Sequence, residues 1–594
     1  MSADREAVTV TSEGSRDQLH IADLIDRRAQ ANAMAPAICH AGRASLTYAG
    51  LQRQMAEVGA ALRQLGLGRT PRVAVALPGG PELAAAILGV AASATCVPLD
   101  PASPRAELEH LLDEARVDCV LVCEGRESPA AAIAERRGTP VLAAQTDPLV
   151  PAGAFRLSLL SSGAPAGSPA SLPGQRRSDE TAVVLHTSGT TGKPKIVPLS
   201  HRNVCTSAHN IASSMQLTED DRCLNVLPMY YSHGLMSPLM ATIAAGASVI
   251  CPRRFEVMKF FRLLAELAPT WYSAVPPIHR EIVKAAPTFA GPLARSRLRF
   301  VRSASAPLPP ELHDALESTF HVPVIESYGM TETASIVTSN PLPPGRRKKG
   351  SVGVSIGCDV AIMTGSGSLL PPGQRGEIGV RGPTVTFGYE NDPIAKDTAF
   401  VGGWFRTGDE GFVDEEGYLF ITGRMKEIVN RGGAKVSPVE VDDALRRHPS
   451  VLEAASFGVP HTGLGEDLAA AVVAKGDAVI TEEQLRRHLA ATLSPYKVPS
   501  RIFFVDEIPT THTGKIRRRD LAELLAPAGG ASVVAAGTEA ESRLVDIWST
   551  VLGLPAKRVG TTDNFFDLGG TSLRLAEVRS ALQRELGWDI PLLE

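Results

Sequence analysis

Residues Thr187–Lys195 read Thr-Ser-Gly-Thr-Thr-Gly-Lys-Pro-Lys, packing hydroxyls, two glycines and two lysines into nine positions. An apolar, strand-like run, Thr181–Leu185, precedes the segment, and a helix-like stretch opens near His201. A loop of this composition can wrap a polyphosphate. The glycines let backbone N–H groups approach, and the hydroxyls and lysines supply donors and charge. It is not the common P-loop, which needs four residues between its glycines and a Ser or Thr after the lysine. Here only Thr190 and Thr191 separate Gly189 from Gly192, and Pro194 follows Lys193. Taken alone, the segment could also be a flexible surface turn.

The chain has 594 residues, too many for one core, so several domains are expected. Sixty basic against 64 acidic side chains leave −4, with no basic surplus for nucleic acid or an anionic membrane. The eight cysteines are scattered; Cys119 and Cys123 lie in one strand-like run, and no pair has zinc-site spacing. A reduced, cytoplasmic protein fits best. Met1–Asp17 is polar and lacks the apolar centre of a signal peptide, and no apolar run is long enough to span a bilayer.

From Leu19 onward, helix-like stretches such as Tyr48–Leu65 alternate with strand-like runs such as Val73–Leu77 and Cys119–Val122. That alternation predicts an α/β fold of layered sheets and helices. Ser158–Ser178 is rich in Ser, Pro, Gly and Ala and reads as a surface linker. Five segments follow: a flexible tail over 1–18, a large domain over 19–425, a small α+β domain over 426–525, a small-residue linker over 526–537, and a last segment over 538–594. The last opens with an amphipathic helical pattern: Leu544, Ile547, Trp548, Val551 and Leu552.

Four more segments occur in order with the loop: Glu326-Ser-Tyr-Gly-Met-Thr-Glu332, Trp404-Phe-Arg-Thr-Gly-Asp409, Gly423-Arg-Met-Lys-Glu-Ile428 and Thr513-Gly-Lys-Ile516. Together they resemble the acyl-adenylate-forming superfamily: acyl- and aryl-CoA ligases, luciferases and the adenylation domains of nonribosomal synthetases. The resemblance covers roughly residues 20–525 and implies a large domain holding ATP and acid, with a small mobile domain bearing a hinge and a lysine.

The resemblance implies a role for each motif. Thr187, Ser188, Gly189, Thr190, Thr191, Gly192 and Lys193 form the phosphate loop. Ser305, Ala306, Pro307, Glu326, Ser327, Tyr328 and Gly329 line the nucleotide pocket, with Tyr328 stacking on adenine. Thr331 bonds the α-phosphate and Glu332 holds Mg²⁺, a hard ion that takes oxygen ligands. Asp409 accepts from both ribose hydroxyls, assisted by Arg424. Lys515 bridges carboxylate and phosphate, and Lys426 is the hinge about which the small domain turns between half-reactions. A carboxylate repels nucleophiles; joining it to AMP makes it an electrophile, provided two anions are held together. Each residue also has a plainer reading. Asp409 could be a turn residue after Gly408, Lys515 one charge in a solvated turn with Arg517, Arg518 and Arg519, Tyr328 a core aromatic and Glu332 a helix-start residue.

Asp563-Asn-Phe-Phe-Asp-Leu-Gly-Gly-Thr-Ser572-Leu573 resembles the attachment site of a phosphopantetheine carrier domain. Ser572 would carry the 4′-phosphopantetheine arm, added by a phosphopantetheinyl transferase; the plainer reading is an N-cap. Such carriers usually have four helices, and the chain stops at Glu594, so a truncated carrier and downstream synthase domains or modules are expected.

Amino-acid-activating relatives place an Asp where this chain has Tyr231, in Leu227-Pro-Met-Tyr-Tyr-Ser-His-Gly234. A tyrosine cannot supply the buried negative charge an ammonium needs, so the carboxylic acid substrate lacks an α-amine. Thr270–Pro276, Leu298–Ser305, Ser339–Pro343 and Asn430–Gly433 resemble the oxalate–CoA ligase branch, but Tyr231 replaces a His usual there. The expected acid pocket is Tyr231, His233, Ser303 and Gly329; His233 either meets a second carboxylate or hydroxyl or is simply packed. The expected activity is loading of an aryl or small acid onto the chain's own carrier, as in polyketide or nonribosomal peptide antibiotic biosynthesis. Transfer to free CoA, the front of a carboxylic acid reductase and a non-enzymatic nucleotide-binding scaffold are the alternatives.

Overall fold

The computed structural model describes residues 19–68, 70–161, 177–187, 195–390, 392–461, 464–476, 478, 480–510, 516–525, 536–561, 565, 568 and 572–588. The expected tail over 1–18 lies outside them, as do 526–535 of the expected linker. The fold is mixed α/β and divides into two compact units. The first runs to Thr407 and takes in Phe412–Phe420; the second holds Gly408–Gly411 and the chain from Ile421 onward.

Among the described residues, the first unit builds two large sheets. A seven-stranded sheet has the order Phe155–Ser161, Val141–Thr146, Cys119–Cys123, Arg72–Ala76, Thr95–Pro98, Thr181–Thr187, Lys195–Ser200. Its inner strands are parallel and buried on both faces, which is why they read as unbroken apolar runs. Ser158–Ser161, which composition assigns to a linker, instead pair antiparallel with Val141–Ala143 as the edge strand. An edge strand half open to water needs no apolar alternation, so Ser and Leu can share it.

The second sheet has nine strands. Its centre is four parallel neighbours, Arg222–Asn225, Trp271–Ala274, Phe300–Ser303 and Val324–Met330, and Ser335–Ser339 returns antiparallel beside the last. Helix Pro81–Ala91 packs against strands of both sheets. Every residue in it but Glu82 is buried, so it has no polar face, and Pro81 starts it where no N–H is required. Helix His201–Ser214 also touches both sheets. Ser200 caps it, accepting from Asn203 N at 3.1 Å, while Asn203 Oδ1 accepts from Ser200 N at 2.9 Å.

In the second unit, Ala434–Val436, Val429–Arg431, Gly465–Ala474 and Val451–His461 form a sheet, with Arg501–Phe504 parallel to Gly465–Ala474. Strand alternation feeds two cores: Leu468, Ala470 and Val472 face Val441, Leu445 and Leu485, whereas Ala469 and Ala471 face Phe457, Ile508 and Leu521. A separate core joins helices Glu539–Leu552 and Ser572–Leu586 through Ile547, Leu552, Phe565, Val578, Ala581 and Leu582. Thr538 and Glu541 close a capping box on the first of these, and Gly553 ends it at φ +68°.

All eight cysteines are free; seven are buried and Cys123 is half-buried. Burial pushes the Cys119 and Cys205 thiols up to about 12. No helix among the described residues is long and apolar enough to cross a membrane.

Arg431 and Asp467 make a buried ion pair at 2.8 Å, and Arg431 also donates to the carbonyls of Tyr496 and Val498. Arg431→Ala strands a buried carboxylate and is expected to destabilise the second unit by about 3–5 kcal/mol. Guanidinium unfolding should show that loss as a lower midpoint for the transition of this unit.

Candidate functional site

Parallel neighbours bring their carboxyl ends together, the usual place for a site in an open α/β sheet. Ser273 is in register with Arg302, and Ser303 with Glu326. His233 sits over this end. Its Nε2 meets Ser273 Oγ at 2.7 Å and its Nδ1 meets Ser305 Oγ at 2.9 Å. Both ring nitrogens are engaged, so the histidine is a packed bridge. Burial first, then the neighbouring Arg302, holds it well below the usual imidazole range, so it is neutral at pH 7. Ser303 is not joined to it. Adjacent strand residues face opposite ways, which puts Arg302 on the Ser273 side and Ser303 on the other, its Oγ buried with no partner.

Ser232 and Thr331 hydroxyls lie 3.2 Å apart, tying the pocket run to the turn after Val324–Met330. Tyr231 stands edge-on to Tyr230 at 5.2 Å. Burial, then Asp100 and Glu107, pushes its hydroxyl up to about 12. It is neutral and supplies no anion.

The turn Thr331–Thr333 joins two antiparallel strands at close range. A Cβ at Gly329 would lie 1.5 Å from Ser335 O, so only glycine fits. Ser305, Ala334 and Ser335 all hold positive φ (74°, 50° and 90°), a clustering of strained backbone common at functional sites. Glu332 is buried; its Oε1 accepts from Tyr389 OH at 2.8 Å and its carbonyl from Thr386 N at 2.8 Å. Lys195 Nζ lies 4.2 Å over the Tyr389 ring. No sequence motif marked Tyr389. Glu326 and Tyr328 are buried in their strand, and Ser327 Oγ reaches Ser303 O at 3.4 Å. Ala306 is half-buried and Pro307 exposed.

Ser188–Lys193 lie outside the described residues, as does Lys515. What brackets them is described. Thr187 pairs with Lys195 across the first loop, and Thr510 bridges to Ile516 across the second. In the second unit Arg424 Nε donates to buried Asp409 at 3.0 Å, and Met425 N to Gly408 O at 2.9 Å. Lys426 is exposed. Its neighbour Glu427 accepts from Arg518 at 2.9 Å, and Arg518 also reaches Asp442 at 2.7 Å. Arg518 is therefore no solvated turn charge. Burial alone would depress it, but Asp442 and Glu427 more than offset that and hold it above its usual value. Ser572 opens the last helix.

Residues 25–390 match the family model for AMP-binding enzymes, residues 440–515 the C-terminal domain of those enzymes, and residues 542–594 a phosphopantetheine attachment site. The chain belongs to the AMP-binding enzyme family. An oxalate–CoA ligase of Arabidopsis thaliana is 38% identical over 496 residues, covering 82% of this chain and 95% of that protein. A sulfoacetate–CoA ligase of Cupriavidus necator is 37% identical over 481 residues, 80% and 92% of the two chains. ATP-bound MatB from Rhodopseudomonas palustris aligns at TM-score 0.75 and 32% identity, over 84% of this chain and 98% of its own. The chain is thus an ATP-dependent, adenylate-forming acid–thiol ligase with a phosphopantetheine attachment domain in the same polypeptide.

Glu332 fits a hard cation in this AMP-binding enzyme: it is an oxygen donor fixed by Tyr389 and by its own carbonyl. It stands outside any cluster of three ligating groups among the described residues, so most ligands to such an ion would come from phosphate and water.

Burial raises the Glu326 carboxyl to about 7 from an ordinary 4.5, partly offset by the Gly350 N–H. Between those values the unfolded chain has released a proton that the folded chain keeps, so stability falls as pH rises. Glu326→Gln should remove that loss, melting with wild type at pH 5 and above it at pH 8, by up to a few kcal/mol. Gly329→Ala is expected to abolish ATP–pyrophosphate exchange, since the added methyl collides with backbone that has no room to move.

Proposed function

We propose that the chain activates a carboxylic acid without an α-amine and loads it onto its own carrier arm at Ser572, as a starter unit for downstream synthase domains. The observation carrying this reading is the helix that opens at Ser572 inside a phosphopantetheine attachment domain covalently joined to the ligase. A tethered thiol stays at high effective concentration near the site.

In the first half-reaction a carboxylate oxygen bonds to the α-phosphorus of ATP as the bond to the β-phosphate breaks and pyrophosphate leaves. Thr187–Lys195 would grip the departing phosphates. Thr331 would donate to the α-phosphate, and Lys515 would bridge both anions. Mg²⁺ held by Glu332 would neutralise charge on the phosphates. Asp409, aligned by Arg424, would accept from the ribose hydroxyls. Glu326, Ser327, Tyr328 and Gly329 would frame the adenine with Ser305, Ala306 and Pro307. In the second half-reaction the thiol sulfur bonds to the acyl carbon, AMP leaves and the thiol proton passes to solvent. Lys426 is the proposed hinge between the two. The Arg518–Glu427 bond ties the hinge to the helix after Lys515, so the two would turn together.

Neutral Tyr231 supports an acid without an ammonium. A second reading, transfer to free CoA, is favoured by the relatives, which are named CoA ligases. Protein modified by a phosphopantetheinyl transferase, then given acid, ATP and Mg²⁺, should gain the acyl mass at Ser572. Ser572→Ala should keep pyrophosphate exchange and lose all acyl mass. Acyl-CoA forming at an undiminished rate in that variant, with no loading of the wild type, would establish the CoA reading instead.

A further inference from the structure

Tyr389 joins the turn that carries Glu332 to the strand that leaves the phosphate loop. Its hydroxyl donates to Glu332 Oε1 at 2.8 Å, and Lys195 Nζ stands 4.2 Å over its ring. The segment bearing it is pinned along its length. Asn203 Nδ2 donates to the carbonyls of Pro383 and Val385 at 2.8 and 3.1 Å, and Thr386 Oγ1 to Pro198 O at 2.6 Å. Thr386 N donates to Glu332 O at 2.8 Å, Glu390 N to Ile196 O at 3.1 Å, and Arg72 pairs with the Glu390 carboxylate at 2.8 Å. Backbone and side chain of Glu332 are therefore both held by one segment, Pro383–Glu390, that is itself fixed to its surroundings.

The donor's chemistry matters as much as its place. A phenol is uncharged and keeps its proton at neutral pH, so it holds a carboxylate oxygen without cancelling the negative charge. A lysine or arginine there would neutralise the ligand. Lys195 lies instead against the ring face, where the ring quadrupole attracts it. From there it draws electron density away from the hydroxyl, which makes the O–H a stronger donor. How many oxygens Glu332 offers weighs heavily on an ion's shell, because it belongs to no cluster of three ligating groups among the described residues. Mg²⁺ demands a near-ideal octahedron, which the narrow bite of a two-oxygen carboxylate distorts. Ca²⁺ has a larger, looser shell and takes carboxylates by one oxygen or by both.

We infer that Tyr389 is the positioning residue that sets the enzyme's preference among divalent cations. By holding Oε1 it restricts Glu332 to one oxygen, Oε2, toward the ion, which favours Mg²⁺ over larger ions such as Ca²⁺. This rests on the reading above that Glu332 holds the cation, and adds to it the residue that selects which cation. Without the hydroxyl both oxygens are open to the ion, and the resulting shell suits the larger one. Phenylalanine keeps the ring and the face on which Lys195 lies, so the hydroxyl can be tested apart from packing.

The test is binding of the α,β-methylene analogue of ATP to the full chain, followed by calorimetry over a range of Mg²⁺ and, separately, of Ca²⁺. Wild type should reach half-saturation at lower Mg²⁺ than Ca²⁺. Tyr389→Phe should raise the Mg²⁺ requirement by about tenfold or more, as loss of a ligand's hydrogen-bond partner usually does, and leave or lower the Ca²⁺ requirement. Its melting temperature should stay with that of wild type. Glu332→Gln should raise both requirements. A Mg²⁺-to-Ca²⁺ ratio unchanged in Tyr389→Phe would overturn the inference. Both requirements rising equally with a lowered melting temperature would do the same, since that marks a structural role. So would a wild type with no preference between the two ions. Glu332→Gln with wild-type requirements for both would overturn instead the reading that this carboxylate holds the cation.

Discussion

Parallel pairing of Trp271–Ala274, Phe300–Ser303 and Val324–Met330 fixes, residue by residue, which side chains share a layer and which face opposite sides. Ser273 and Arg302 fall together on one face, Ser303 and Glu326 on the other. One step of register would exchange those sets and move polar groups into the apolar layers on either side. The loops and turns that carry the site can be short and strained because this sheet holds their ends. The backbone at Ser305, Ala334 and Ser335 is an example.

Much of this was legible in the sequence. The alternation of apolar runs and helical stretches predicted α/β layers, and helix Tyr48–Gln64 and strands Arg72–Ala76 and Cys119–Cys123 stand where the pattern put them. The phosphate-loop segment is bracketed by two antiparallel strands, Thr181–Thr187 and Lys195–Ser200; the first strand and the helix at His201 stand where the pattern puts them, and the second strand is one the sequence did not announce. Glu332 and Asp409 are buried and fixed by named partners rather than lying on exposed turns. Composition misled at Ser158–Ser161, because Ser-rich sequence is compatible with an edge strand open to water.

Other features depend on distant pairs that no local pattern encodes. Arg518 sits in a run of three arginines, and nothing in the run distinguishes the one that turns inward to Asp442 and Glu427, 76 and 91 residues away in sequence. Tyr389 lies 57 residues beyond the glutamate it supports. The sequence leaves His233 as either a contact to substrate or a packed ring, and only the placement of Ser273 and Ser305 around it decides for the packed bridge. Arg302 lies within Leu298–Ser305, and nothing in that run marks it as fully buried with no hydrogen-bond partner at Nε or either Nη.

The chain's own sulfurs are arranged with consequences for chemistry done on thiols. Seven of eight cysteines are shut inside the fold, and burial keeps Cys96, Cys119, Cys205, Cys223, Cys251 and Cys358 protonated well beyond neutral pH. An activated acyl group reacts with thiolates, and a protonated, enclosed thiol is a poor competitor for it. A sulfur brought in from outside therefore faces almost no internal rival, Cys123 being the one side chain partly open to solvent. Selectivity for the incoming thiol is thus set in part by where the protein hides its own.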